Sequence, residues 1–189
     1  MNTFSCYSAS IVFGVTYNVL HLVYIALFSS SLFGLIIAFN TIDKTQVEHR
    51  MGDKVSSKGV YMFLLLTGIS LIVAWLPDII KSLVSGRSLE LIEVYTTQIT
   101  YVLDMEIIAP TALICLSELK KRSSVGYILL PLLLTVCTIV GIMLPIQTIF
   151  QIKVGISLPI GAIVTKIGTF IVLALFALYF NLKFYKNIR

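Results

Sequence analysis

Five stretches of this chain stay apolar long enough to cross a bilayer, at about residues 18–40, 59–83, 95–119, 125–150 and 157–184. Nothing else in the sequence limits the fold as strongly. A hydrocarbon core of roughly 30 Å is spanned by about 20 mainly apolar residues in a helix. Lipid offers no hydrogen bonds, so each such segment must satisfy its own backbone, and a helix does that. The in–out alternation of a membrane barrel strand is absent. The chain is 58% hydrophobic and 12% charged, whereas soluble domains have about 45–50% apolar and about 25% charged residues. The expected architecture is all-α: a polytopic transmembrane helical bundle, one membrane domain over residues 1–189, with five full crossings and a short N-terminal apolar segment. The longest polar stretch, Thr41 to Lys58, leaves no room for a soluble domain. It reads as a surface connection, with His49 solvated and its basic residues near anionic lipid headgroups.

Residues 4–16 are apolar but too short to cross. They fit an outer-surface helix, a re-entrant piece, or the tail of a crossing helix whose start is missing. No basic n-region of a cleavable signal precedes them.

The basic residues predict orientation. Lys44, Arg50, Lys54 and Lys58 follow the first segment, and Lys120, Lys121 and Arg122 follow the third. Lys183, Lys186 and Arg189 close the chain. The alternate loops carry only Arg87, with Lys81 just before it, and Lys153. Cytoplasmic loops are the Lys/Arg-rich ones, so the N-terminus is expected outside and the C-terminus inside. The net charge of +5 follows from these loops and is no nucleic-acid signal. Trp75 and Tyr95 are expected at the outer interface, and Tyr61, Tyr127 and Tyr185 at the inner one.

Charge inside a membrane helix is costly and marks a functional or paired site. The third segment carries two acids, Asp104 and Glu106, within TQITYVLDMEIIAP. Asp104 lies about nine positions in from Tyr95, roughly 13 Å deep, and Lys166 lies at a similar depth from Ser157. A pairing of Asp104, or of Glu106, with Lys166 is expected. Two residues apart on a helix is about 200°, so Asp104 and Glu106 cannot share a face. Thr97, Thr100, Tyr101 and Asp104 form a polar stripe expected to face inward. Asp78 and His21 fall near the outer ends of the second and first segments. Asp104, Lys166, Glu106, Asp78, Tyr101 and His21 are therefore the candidate ligand-binding residues. They suit a small charged or zwitterionic solute, or protons, beneath an outer vestibule. The alternative is a structural or accessory subunit whose buried charges only fix helix packing.

No catalytic residue is nominated. P-loop, GxSxG and HExxH patterns are missing, and one membrane histidine with scattered carboxylates makes no metal spacing. No cofactor is expected. Cys6, Cys115 and Cys137 match no metal pattern and read as inert thiols. Pro77, Pro110, Pro131, Pro145 and Pro159 read as kinks compensated by packing, with a gating hinge as the sharper alternative. Ser29–Ser31 with Gly34, and Gly155, Gly161, Ala162 and Gly168, offer small faces for close helix approach. Those faces could also contact a second copy or a membrane partner subunit. The remaining partner is the bilayer itself.

WLPDIIKSLVSG followed by ITYVLDMEIIAPTALICLSELKKRSSVGYILLPLLL resembles an uncharacterised family of bacterial multi-pass integral membrane proteins. The likeness rests on Trp75 and Asp78, Asp104 and Pro110, the basic cluster Lys120 to Arg122, and Gly126–Tyr127. It covers about two thirds of the chain, from about Tyr17 to the fifth segment. The resemblance implies a bacterial cell membrane, singles out Asp104, and implies no activity. Glu106 stands where the family pattern has a small or apolar residue, and Tyr101 where a histidine is common. Family members carry further helices before the equivalent of Tyr17, so the resemblance also implies an N-terminally shortened chain.

Overall fold

A computed structural model describes residues 19–51, 55, 57–86, 103–153, 155 and 167–188. Among them every regular element is helical. The elements are α1 (His21–Thr41), α2 (Lys44–Met51), α3 (Lys58–Ser85), a π-helical turn (Asp104–Ile108) running into α4 (Ala109–Lys120), α5 (Ser124–Lys153) and α6 (Gly168–Ile188). Four of these helices, α1, α3, α5 and α6, are long and apolar enough to cross a membrane. The third expected segment is described only from residue 103. Residues 4–16 and the first part of the fifth segment lie outside the described residues.

Several helix ends have a local cause. Ser57 caps α3, its Oγ accepting the Val60 N–H at 3.4 Å, and Gly86 ends that helix in the left-handed region at φ 62°. Such a C-terminal glycine avoids the Cβ clash of that conformation. The α4–α5 turn is held by Arg122 N–H on Leu119 O at 3.1 Å and Ser123 N–H on Glu118 O at 3.0 Å. This Schellman-type closure puts Arg122, not a glycine, at φ 58°. Immediately beyond, a Cβ on Gly126 would fall 2.6 Å from Leu119 N. Only glycine lets α5 double back so closely, and the Cys115 thiol donates across the hairpin to Gly126 O at 3.5 Å.

The bundle consists of α3, α4, α5 and α6. The buried face of α3 is Val60, Phe63, Leu64, Thr67, Gly68, Leu71 and Trp75, a stripe at helical spacing. Its other face, with Met62, Leu66, Ile69 and Val73 exposed, is equally apolar. A helix apolar all round suits lipid on its free side. Leu64, Leu119, Tyr127, Leu130, Leu133 and Leu134 form the densest part of the core. At the α5–α6 crossing, a Cβ on Gly141 would lie 2.0 Å from Ala174 Cβ and 3.0 Å from Phe170 O. The closest helix approach thus uses Gly141 and Ala174. Of the small residues expected to serve it, Gly161 and Ala162 lie outside the described residues, and a Cβ on Gly155 or Gly168 would meet nothing within 4 Å among the described residues. In α1 only Ser31 is buried, and the hydroxyls of Ser30 and Ser31 bond back to Ala26 O and Phe28 O in their own helix.

The polar connection contains a helix that apolar periodicity does not reveal. Asp43 Oδ1 accepts the N–H groups of Thr45 at 3.0 Å and Gln46 at 3.2 Å, the N-cap role this residue type favours. The short helix α2 then lays Val47 and Met51 against the core. Its Glu48 Oε1 accepts the Ser124 N–H at 3.0 Å, so an acid of α2 meets the positive end of α5.

Candidate functional site

The site begins with Pro110. Proline has no N–H to donate, and its ring crowds the carbonyl four residues back, that of Glu106. The turn ahead of it is wide: Ala109 N–H bonds to Asp104 O in a π-helical turn over Asp104–Ile108. Such turns appear as single insertions in α-helices, frequently at functional sites.

The widened turn presents its two acids differently. Asp104 points into the bundle, where Oδ2 accepts the indole Nε1–H of Trp75 at 3.0 Å. Glu106 is exposed. Trp75 is only 7% exposed, its ring enclosed by protein. A buried indole N–H needs an acceptor, and Asp104 supplies it. The Trp75 ring also packs on Phe170 of α6, centroids 6.2 Å apart at 37°. Trp75 of α3 thus meets the turn that opens α4, and Phe170 of α6 packs on the other side of the contact, against the indole.

No protein-family model, curated protein or solved structure matches this chain.

The other candidates are placed as follows. Asp78 is half-buried on α3, one turn beyond Trp75, and His21 is half-buried at the start of α1. Lys166 and Tyr101 lie outside the described residues, as do Thr97 and Thr100, and with them the expected Asp104–Lys166 pair and most of the polar stripe. No three His, Cys, Asp or Glu side chains among the described residues could hold a metal ion together.

Two features of the site escape a reading of charge and spacing. One is Trp75 as the hydrogen-bond partner of Asp104. Its signal was a single tryptophan in a long apolar run, which fits an interfacial belt as readily as a buried donor. The other is Asn181 of α6, whose Nδ2 donates to Thr135 Oγ1 of α5 at 3.2 Å. A lone asparagine in LALFALYFNLKF is the visible signal.

Chemically, Asp104 is a carboxyl group inside an apolar bundle, and its hydrogen-bonding neighbour among the described residues, Trp75, is neutral. Such a group can take up and release a proton, or bind a small cation. It can equally fix helix register through its bond to Trp75.

Proposed function

We propose that this chain is a five-crossing membrane protein that binds protons, or a small cationic or zwitterionic solute, at Asp104. The observation that carries the reading is the inward Asp104 carboxyl, set on a π-helical turn and bonded to the Trp75 indole. Among the described residues the donor to Asp104 is neutral and leaves the carboxylate charge uncompensated, which favours uptake of a proton or cation. Pro110 and the wide turn supply a backbone that can change register in small steps.

The arrangement also supports an orientation. The start of α3, the α4–α5 turn and the end of α6 gather Lys58, Lys120, Lys121, Arg122, Lys183 and Lys186 at one pole. By the distribution of basic loops that pole is cytoplasmic and Asp104 belongs to the outer half of the bundle. Asp78 would stand at the mouth and Lys166 would be the charge partner when no proton is bound. The resemblance to the bacterial multi-pass family favours a bacterial cell membrane.

A second reading rests on the same bond. Trp75–Asp104 also joins α3 to the turn of α4, and in this second reading its role is purely structural, as in an accessory subunit. Infrared difference spectroscopy on the protein in nanodiscs separates the two. A proton site shows a carboxylic-acid band that changes with pH and disappears in Asp104→Asn. If no pH-dependent band belongs to Asp104, the structural reading stands instead.

A further inference from the structure

Polar groups inside the bundle do not end at Asp104. Thr135 on α5 donates its hydroxyl to Pro131 O at 2.7 Å and accepts from Asn181 Nδ2 on α6 at 3.2 Å. Two other atoms are less well served. Thr67 Oγ1 on α3 and Asn181 Oδ1 are buried and have no hydrogen-bond partner among the described residues. Thr67 is 2% exposed.

Helix register brings these groups to one region. The rings of Phe63 on α3 and Phe180 on α6 pack with centroids 5.7 Å apart, and Trp75 meets Phe170 at the other end of the same antiparallel contact. Thr67 is one turn from Phe63 toward Trp75, and Asn181 adjoins Phe180. The α6 residue at the level of Thr67 is Ala177, 0% exposed and one turn from Asn181. Buried polar atoms in native proteins are nearly always bonded to protein or to ordered water. A polar, enclosed spot with several donors and acceptors is where such water binds.

We propose that Thr67, Asn181 and Thr135 hold ordered water between α3, α5 and α6, and that this water exchanges protons with Asp104. The proton-exchange half rests on the reading of Asp104 as a proton site; the water site does not. Along α3 the station lies about 12 Å from the level of Trp75, toward the basic pole. Leu71, buried on the same stripe, separates the two levels, so exchange is gated by transient wetting past that side chain. In the step itself the Asp104 O–H bond breaks, the proton passes to water, and a carboxylate remains until the reverse transfer.

The test uses the full chain in nanodiscs, with Thr67→Val and Asn181→Leu as near-isosteric variants. Removing a group bonded to water loses that bond, so Thr67→Val should lower Tm by about 2–4 °C. Asn181→Leu also loses the bond to Thr135 and lowers Tm in either case, so Thr67→Val decides: an unchanged or raised Tm there, the result of removing an orphaned group from a dry site, overturns the water site. Transfer into D2O, followed by infrared at the Asp104 carboxylic-acid band, reads the second half. Exchange should slow several-fold in both variants and return to the wild-type rate in Thr67→Ser, which keeps the hydroxyl. An unchanged rate in Thr67→Val and Asn181→Leu overturns the relay. If the wild type lacks an Asp104 band altogether, the proton-site reading fails and the relay with it, while the Tm values still decide the water site.

Discussion

Trp75 and Asp104 share one hydrogen bond, Nε1 to Oδ2 at 3.0 Å, across the junction of α3 and the turn that opens α4. It joins a bulky, largely apolar side chain, itself packed on Phe170, to a carboxyl group. Each member explains how the other is tolerated in the interior: the indole N–H has an acceptor, and the carboxyl has a donor.

Breaking this bond from either side should therefore cost more than losing the two groups independently. Trp75→Phe leaves Asp104 without its donor and is expected to destabilise by about 1–3 kcal/mol from the orphaned group, plus a packing loss. In an Asp104→Leu background the same change should cost only the packing loss. A double-mutant cycle on thermal or denaturant unfolding should give a coupling of about 1–2 kcal/mol. Additive effects would show that the bond adds nothing to the pairing of α3 with α4.

The α5–α6 crossing makes a steric prediction. Gly141→Ala places a Cβ 2.0 Å from that of Ala174, well inside van der Waals contact, so the helices must move apart. Overpacking of this kind costs about 1–3 kcal/mol. Gly141→Ala combined with Ala174→Gly transfers the methyl from one helix to the other and should recover most of the loss. Unfolding midpoints of the two single variants and the double variant check it.

At the α4–α5 turn the expected sign is reversed. Arg122 holds φ 58°, a conformation costing roughly 1–2 kcal/mol for a residue with a Cβ. Arg122→Gly should raise stability by about 1 kcal/mol, since the exposed side chain contributes little to packing. Arg122→Val, branched at Cβ, should lower it. The ordering Gly, Arg, Val in Tm is the measurable outcome, and Val above Arg contradicts the account.

How far these features were legible depends on the kind of physics behind them. The apolar runs for α1, α3 and α5 are visible because lipid imposes a length and composition that few soluble helices match. Asp104 is visible because a carboxyl in such a run is conspicuous, and its separation in facing from Glu106 follows from helical geometry. The bond of Trp75 is not visible by the same logic: an amphipathic ring fits an interface and a buried hydrogen bond equally well, and only the partner's position reveals the bond. The Gly141–Ala174 contact depends on which faces of α5 and α6 meet, and both helices are apolar all round. The short helix α2 is hidden because its Asp43 cap lies in a mixed-charge connection where apolar periodicity gives no cue.

That cap is testable in isolation from the bundle. Asp43→Ala removes the acceptor for the N–H groups of Thr45 and Gln46, a loss of about 1 kcal/mol. Amide exchange across residues 44–51 should quicken roughly fivefold, the factor equivalent to that energy, with α3 and α5 unchanged. Asp43→Asn keeps an acceptor and should stay near the wild-type rate. Equal exchange in all three proteins would mean that docking through Val47, Met51 and Glu48, rather than the cap, holds α2.

The last prediction concerns the cause of the wide turn. Pro110 withholds an N–H and crowds the Glu106 carbonyl, and the backbone opens to the Ala109-to-Asp104 bond. Pro110→Ala restores the donor and removes the ring, so the segment should relax toward regular α-helix. Rewinding the wide turn to α-helical pitch rotates everything before it by roughly a quarter turn relative to α4, which carries Asp104 away from Trp75. The only tryptophan in the chain reports this directly: its emission should shift when the carboxylate leaves the indole N–H, and it should match that of Asp104→Leu. An emission spectrum identical to wild type in Pro110→Ala, with Asp104→Leu still shifted, would place the origin of the turn in the packing of Asp104 against Trp75 instead of in the proline.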